Sequence, residues 1–292
     1  MAIPVVESST KATTTADVSS ITITKPTGLA LGDLLIACIA TYDGDNRTHT
    51  TPAGWSVGTQ TTSQLVKTTI FYKEAESADV SASNFTFNMS ANTGFISGVL
   101  VRITGHVPVT PITVGESDAA NVSAQSSYSP TTSITPDTEE NSILLMSFAL
   151  LASAPGGTPT MGSYASTPSA TWTEIQDAGL ATTAGMAHGV AYAEYDTDTE
   201  VTSRSATQSS SGNYQASSIV VIRGSIDKNT IPTFVSSTQT VFTPTGIADT
   251  AITLPLVAST QSKFDPGGKA TSPTQWTNEA DTDTTWTNEA SL

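Results

Sequence analysis

Hydrophobic and polar positions alternate with a period of two along much of this chain, and the alternation gives way in places to short unbroken apolar runs. Ile21-Thr22-Ile23-Thr24 and Phe85-Thr86-Phe87-Asn88-Met89 are of the first kind. A period of two sends successive side chains to opposite faces of a strand. Leu34 to Thr41, Ile143 to Leu150, Val99 to Ile103 and Ile219 to Ile222 are of the second kind. Such runs predict central strands covered on both faces. No convincing stretch repeats its apolar residues at the three- and four-residue spacing of an amphipathic helix. Lys25-Pro26-Thr27-Gly28 and Thr51-Pro52-Ala53-Gly54 predict turns, the second delivering Trp55 onto the next strand. The elements are those of an all-β protein.

The same order of elements is written twice. Gly32-Asp33-Leu34-Leu35-Ile36-Ala37-Cys38 has a counterpart in Asn141-Ser142-Ile143-Leu144-Leu145-Met146-Ser147. Gly54-Trp55-Ser56 matches Thr171-Trp172-Thr173, and Ile70-Phe71-Tyr72-Lys73-Glu74 matches Val190-Ala191-Tyr192-Ala193-Glu194. Val99 to Gly105 matches Ile219 to Gly224, each run closing on an Arg, Arg102 and Arg223. Pairing Leu34 with Leu144, Trp55 with Trp172, Tyr72 with Tyr192 and Arg102 with Arg223 gives offsets of 110, 117, 120 and 121 residues. A duplication with loop insertions produces such growth, because surface loops absorb length at low cost. The expected architecture is two tandem antiparallel β-sandwich domains of jelly-roll-like form. They are placed at residues 1–115 and 116–225, the second a divergent repeat of the first. A small β-like C-terminal segment with an extended tail follows at 226–292.

Composition sharpens the picture. Charged residues are 13% of the chain and the hydrophobic set 37%, with Ser and Thr filling the difference. Thr-rich, Val- and Ile-bearing segments suit pleated strands. A formal net charge of −15 with no basic stripe repels phosphate backbones, so nucleic-acid binding is not expected. The single cysteine, Cys38, lies in an apolar strand and predicts a small buried hydrophobe, neither disulfide nor thiol–metal cluster. The N-terminus has no basic and apolar leader, and no stretch reaches the ~18 apolar residues of a membrane span. A soluble protein without membrane insertion is expected.

Candidate chemistry is sparse. His49, His106 and His188 fall on or beside expected loops without ligand spacing, and are expected at the surface or in turns. No nucleophile elbow, metalloprotease helix, Walker loop or dinucleotide fingerprint occurs. Asp43 and Asp45, and Asp196 and Asp198, are the best-placed calcium candidates, but each cluster falls short of the six to eight oxygens that calcium takes. No metal, no cofactor and no enzymatic activity are expected. Tyr42, Tyr164 and Tyr214 are candidate exposed rings for stacking on sugars. The polar tail repeats Trp-Thr-Asn-Glu-Ala at 276–280 and 286–290. An even spacing puts Trp276 and Trp286 on one face of an extended segment, and Trp is a favoured interface anchor. Trp276, Asn278, Glu279, Trp286, Asn288 and Glu289 are therefore the expected partner-docking residues.

Gly32-Asp33-Leu34-Leu35-Ile36-Ala37, Pro52-Ala53-Gly54-Trp55, Phe71-Tyr72-Lys73, Val99 to Gly105 and Pro108-Val109-Thr110-Pro111-Ile112 together resemble a β-sandwich module of tailed-bacteriophage virion structural proteins. The tail repeats resemble short Trp-containing repeats at the ends of such proteins. The likeness covers 1–115 well and 130–225 more loosely, the second copy lacking Pro-Ala-Gly before Trp172. It implies a structural protein made in the host cytoplasm and carried in the virion as an oligomer among other virion proteins. A tail or tail-fibre-associated place comes first, then a capsid decoration, cement or head-spike protein, then an adhesion module for host surface glycans. It assigns no functional residue, since the matching positions are core strand, turn and packing Trp.

Overall fold

A computed structural model of the protein describes residues 3–42, 47–130, 132–136, 141–152, 158–180, 185–195 and 199–224. The all-β expectation holds. The first half contains β1 (Val5–Thr14), β2 (Val18–Thr24), β3 (Leu34–Tyr42), β4 (His49–Thr50), β5 (Ser56–Ser63), β6 (Val66–Glu74), β7 (Asn84–Thr93) and β8 (Ile96–Thr104), with a single helical turn, α1 (Ser77–Ser81), before β7. Five strands form one antiparallel sheet in the order β1-β8-β3-β6-β5, and three form a second, β2-β7-β4. The turn expected before Trp55 is present: Gly54 takes φ 78° and the Trp55 N–H donates to the Pro52 carbonyl at 3.1 Å.

The second half contains β9 (Ile112–Tyr128), β10 (Ser142–Ala152), β11 (Met161–Thr167), β12 (Trp172–Leu180), β13 (Met186–Tyr195) and β14 (Ser203–Arg223). Its sheet runs β11-β14-β10-β13-β12, with β9 also paired to β14. The strand order is that of the first half, with β10, β12 and β13 in the places of β3, β5 and β6. Two long strands replace two pairs. β14 takes the parts of both β7 and β8, and β9 those of β1 and β2. Register shifts around Gly212 mark where β14 passes from one partner set to the other. Bulges of that kind bend a strand and increase its twist.

Pairing corrects the alignment read from sequence. Leu34 faces Glu74 and Ile103, whereas Ile143 faces Glu194 and Ile222, so Leu34 corresponds to Ile143 and not to Leu144. On the same ladders Arg102 corresponds to Val221, and Arg223 to Thr104. An unbroken apolar run has no alternation to fix register, and a slip of one residue moves every side chain to the other face. Residues 1–230 group as one compact unit, and the boundary expected at 115/116 falls inside β9. The segment expected from residue 226 lies outside the described residues.

Three apolar layers follow from this arrangement. Leu35, Ala37 and Ile39 of β3 pack with Ile21, Ile23, Phe85 and Phe87 between the two sheets of the first half. Leu144, Met146, Phe148 and Leu150 of β10 pack with Tyr128, Met161 and Val201 inside the second half. Between the halves, Leu34, Ile36 and Cys38 meet Ile143, Leu145, Val220 and Ile222. This explains why β3 and β10 are apolar at nearly every position: each is buried on both faces. Full burial of one such side chain stabilises by roughly 1.5–3 kcal/mol.

The halves also approach closely along β5 and β9. Ser63 Oγ donates to the Ala120 carbonyl at 2.7 Å and Ser117 Oγ to the Gln60 carbonyl at 3.2 Å. A Cβ on Gly115 would stand 2.3 Å from the Gly58 carbonyl oxygen, so only glycine permits this backbone contact. Gly115→Ala is expected to lower stability by about 1–3 kcal/mol in denaturant unfolding, the range for overpacking. An unchanged midpoint would contradict the contact.

Candidate functional site

The expected site residues divide sharply. Asp43, Asp45, Asp196 and Asp198 lie outside the described residues, as do Trp276, Asn278, Glu279, Trp286, Asn288 and Glu289. Among the described residues, no group of three His, Cys, Asp or Glu side chains could hold a metal ion. Nor is any helix among them long and apolar enough to cross a membrane. Tyr42, Tyr164 and Tyr214 are not the exposed rings expected from sequence. Tyr42 and Tyr214 are half-buried against one cluster with Val66, Phe95 and Met186. Tyr164 packs on Phe148 with ring centroids 6.1 Å apart, its hydroxyl buried. Strand alternation turns part of each ring toward the interior.

The histidines differ in part from expectation: His106 lies in the connection after β8, but His49 and His188 lie on strands, and all three are buried. His49 lies on β4, its Nε2 2.9 Å from Thr41 Oγ1 and its Nδ1 2.8 Å from Thr69 Oγ1. His188 lies on β13 between the halves, bridging Ser97 Oγ at 2.9 Å and Ser147 Oγ at 3.0 Å. Each ring is neutral, one nitrogen donating and the other accepting. Burial pushes both pKa values down to about 3, the Lys67 charge adding to the effect at His49. These are structural groups, whose small polar partners on neighbouring strands sequence spacing does not reveal. Cys38 is fully buried, as expected, and burial pushes its thiol pKa up.

Ionic groups gather at one end of the first half. Asp33 Oδ2 accepts from Arg102 Nε at 2.6 Å and from the Ala30 N–H at 2.7 Å. Lys73 Nζ lies 2.8 Å from Asp79 Oδ2, tying β6 to α1. All four side chains are largely buried, and each carboxylate faces a cation. In the second half Arg204 is fully buried and donates to the Thr132 carbonyl at 2.5 Å and to Thr132 Oγ1 at 2.9 Å. Burial lowers its pKa to about 10 against the opposing pull of Tyr128, Asp118 and Glu116. These contacts hold loops to strands.

The open concavity lies elsewhere, beyond the end of the shared core. Along β13 the face directed at the first half passes from Val190, fully buried, through half-buried Tyr192 to exposed Glu194. There the first sheet no longer covers the second. Ile3 of the first half, the β11–β12 connection at Pro168 and Thr171, and Thr173 of β12 wall a cleft of about 600 Å³ around these two residues. Its lining combines two tyrosines, aliphatic carbons, hydroxyls and one carboxylate, with no Lys or Arg. Such a set can bind a ligand that offers hydrogen-bond donors and an apolar face. Tyr192 and Glu194 were legible in sequence only as a strand matching Tyr72 and Glu74. Their exposure follows from the offset between two sheets, which a sequence does not display. No family model, no curated protein and no solved structure matches the chain.

Proposed function

We propose that this protein is a non-enzymatic structural component of a multi-subunit particle, of the kind that tailed bacteriophages build into the virion, with a tail or tail-fibre-associated place favoured. The supporting observation is its construction. Two β-sandwich halves join through a shared apolar layer, and their buried histidines and ion pairs are held in place by neighbouring strands. Such a body suits a building block that keeps its shape under load. The sequence beyond Gly224 carries the twice-repeated Trp-Thr-Asn-Glu-Ala, which on this reading attaches the body to neighbouring proteins through Trp276 and Trp286. A capsid decoration, cement or head-spike role uses the same attachment.

Deleting residues 271–292 is the experiment that tests the attachment. The shortened chain should melt at the same temperature as the full one and fail to enter particles; normal incorporation would remove the docking role. A labelled antibody on intact particles then separates tail from head.

A further inference from the structure

The two halves carry the same tyrosine–glutamate pair at the same place in the sheet, and among the described residues only the first glutamate has a hydrogen-bond partner. Tyr72 and Glu74 end β6 as Tyr192 and Glu194 lie at the end of β13; Leu34 faces Glu74 just as Ile143 faces Glu194. In the first half the connection at residues 105–111 folds onto this position. The Val109 N–H donates to Glu74 Oε1 at 2.8 Å, and His106 Nε2 lies 3.5 Å from the same oxygen. Val109 takes φ 72°, a left-handed conformation that is costly for a β-branched residue. Backbone strain of this kind persists only where surrounding contacts hold it.

The residue in Val109's place in the other half is Ile3. Val6 faces Ile103 as Ile112 faces Ile222, so Ile3 and Val109 each stand three residues before equivalent positions. Ile3 reaches the wall of the cleft, yet no described residue hydrogen-bonds to Glu194, which is exposed. The site in the first half shows what this glutamate accepts: a backbone N–H from a turn that folds over it, with a histidine ring close by.

We propose that the cleft around Tyr192 and Glu194 binds a peptide segment of a partner protein, which brings a backbone N–H and a basic side chain to Glu194. The lone carboxylate in a cleft without Lys or Arg favours a basic segment over an acidic one. The hydroxyls of Thr171 and Thr173 supply partners for its backbone, and the volume suits a short stretch of chain rather than one side chain. The inference goes beyond the attachment role and does not use the C-terminal repeats, so either can fail alone.

The test uses the full chain and a synthetic peptide copying residues 105–111, acetyl-Gly-His-Val-Pro-Val-Thr-Pro-amide. In an NMR titration at millimolar peptide, the resonances of Ile3, Tyr192 and Glu194 should shift saturably. Glu194→Gln should weaken binding about tenfold, the loss of one charge-assisted contact, while Glu74→Gln leaves it unchanged. A peptide with Ala in place of His should also bind more weakly. No saturable shift at these residues, or equal binding by Glu194→Gln, would overturn the proposal. So would maltotriose shifting the same resonances where the peptide does not, since the cleft would then be a sugar site.

Discussion

Acidification below about pH 6.5 is expected to destabilise this protein steeply, and two neutral histidines are the main cause. In the folded chain His49 and His188 have pKa values held down to about 3, against 6.5 for an exposed imidazole. Between those values the unfolded chain binds two more protons than the folded one, so their stability contribution is complete above 6.5 and is lost as pH falls toward 3. The slope is about 1.4 kcal/mol per pH unit for each histidine. Glu174 and Asp177 act in the opposite sense. Burial raises their pKa values, so they bind protons more readily when folded and offset part of the loss in mild acid. Both sit nearer to solvent than the histidines, and their effect is the smaller one. His106, its pKa also lowered by burial, adds to the decline. Denaturant unfolding at a series of pH values should show it, and His188→Gln should flatten it by up to about half. A stability that does not change between neutral and mildly acidic pH would contradict the buried, neutral rings.

The second large effect is expected from Phe87→Ala. Phe87 is almost fully buried between the sheets of the first half. Its ring stacks on Phe71, with centroids 5.8 Å apart, and meets the edge of Trp55 at 5.3 Å. Truncation removes both ring contacts and leaves a cavity among residues that two sheets hold in place, at a cost of about 3–5 kcal/mol. The loss should extend beyond the first half. β3 carries Leu35, Ala37 and Ile39 into the damaged core, and Leu34, Ile36 and Cys38 into the layer shared with β10. A strand that cannot keep one face without the other transmits the loss to its neighbour.

Much of this architecture could be read before any coordinates, and what could not has physical reasons. Alternation identified β2 and β7, and unbroken apolar runs identified β3, β8, β10 and the end of β14. Gly54 and Trp55 announced their turn because left-handed glycine and a following aromatic leave a local signature. The register between the repeats was misread at Leu144 because a strand buried on both faces shows no period. The histidines were misplaced because their hydroxyl partners, Thr41, Thr69, Ser97 and Ser147, come from other strands. A Ser/Thr-rich chain gives no hint which of its hydroxyls will turn inward. Tyr42, Tyr164 and Tyr214 were assigned to the surface on residue type alone, whereas the pleat decides which way a ring faces. The cleft at Tyr192 and Glu194 depends on where one sheet ends over another, a distance set by packing between residues more than 150 positions apart in the chain.

The central claim is that the two sandwich halves form one cooperative body through their shared layer. Native-state hydrogen exchange on the Phe87→Ala chain tests it most directly, by comparing Ile36 amide opening in β3 with that of Leu145 in β10. If the claim is right, both opening free energies fall together, by about the same 3–5 kcal/mol that the substitution removes from the whole. Should the Leu145 amide keep its full protection while Ile36 loses it, the halves open independently and the shared layer does not unite them.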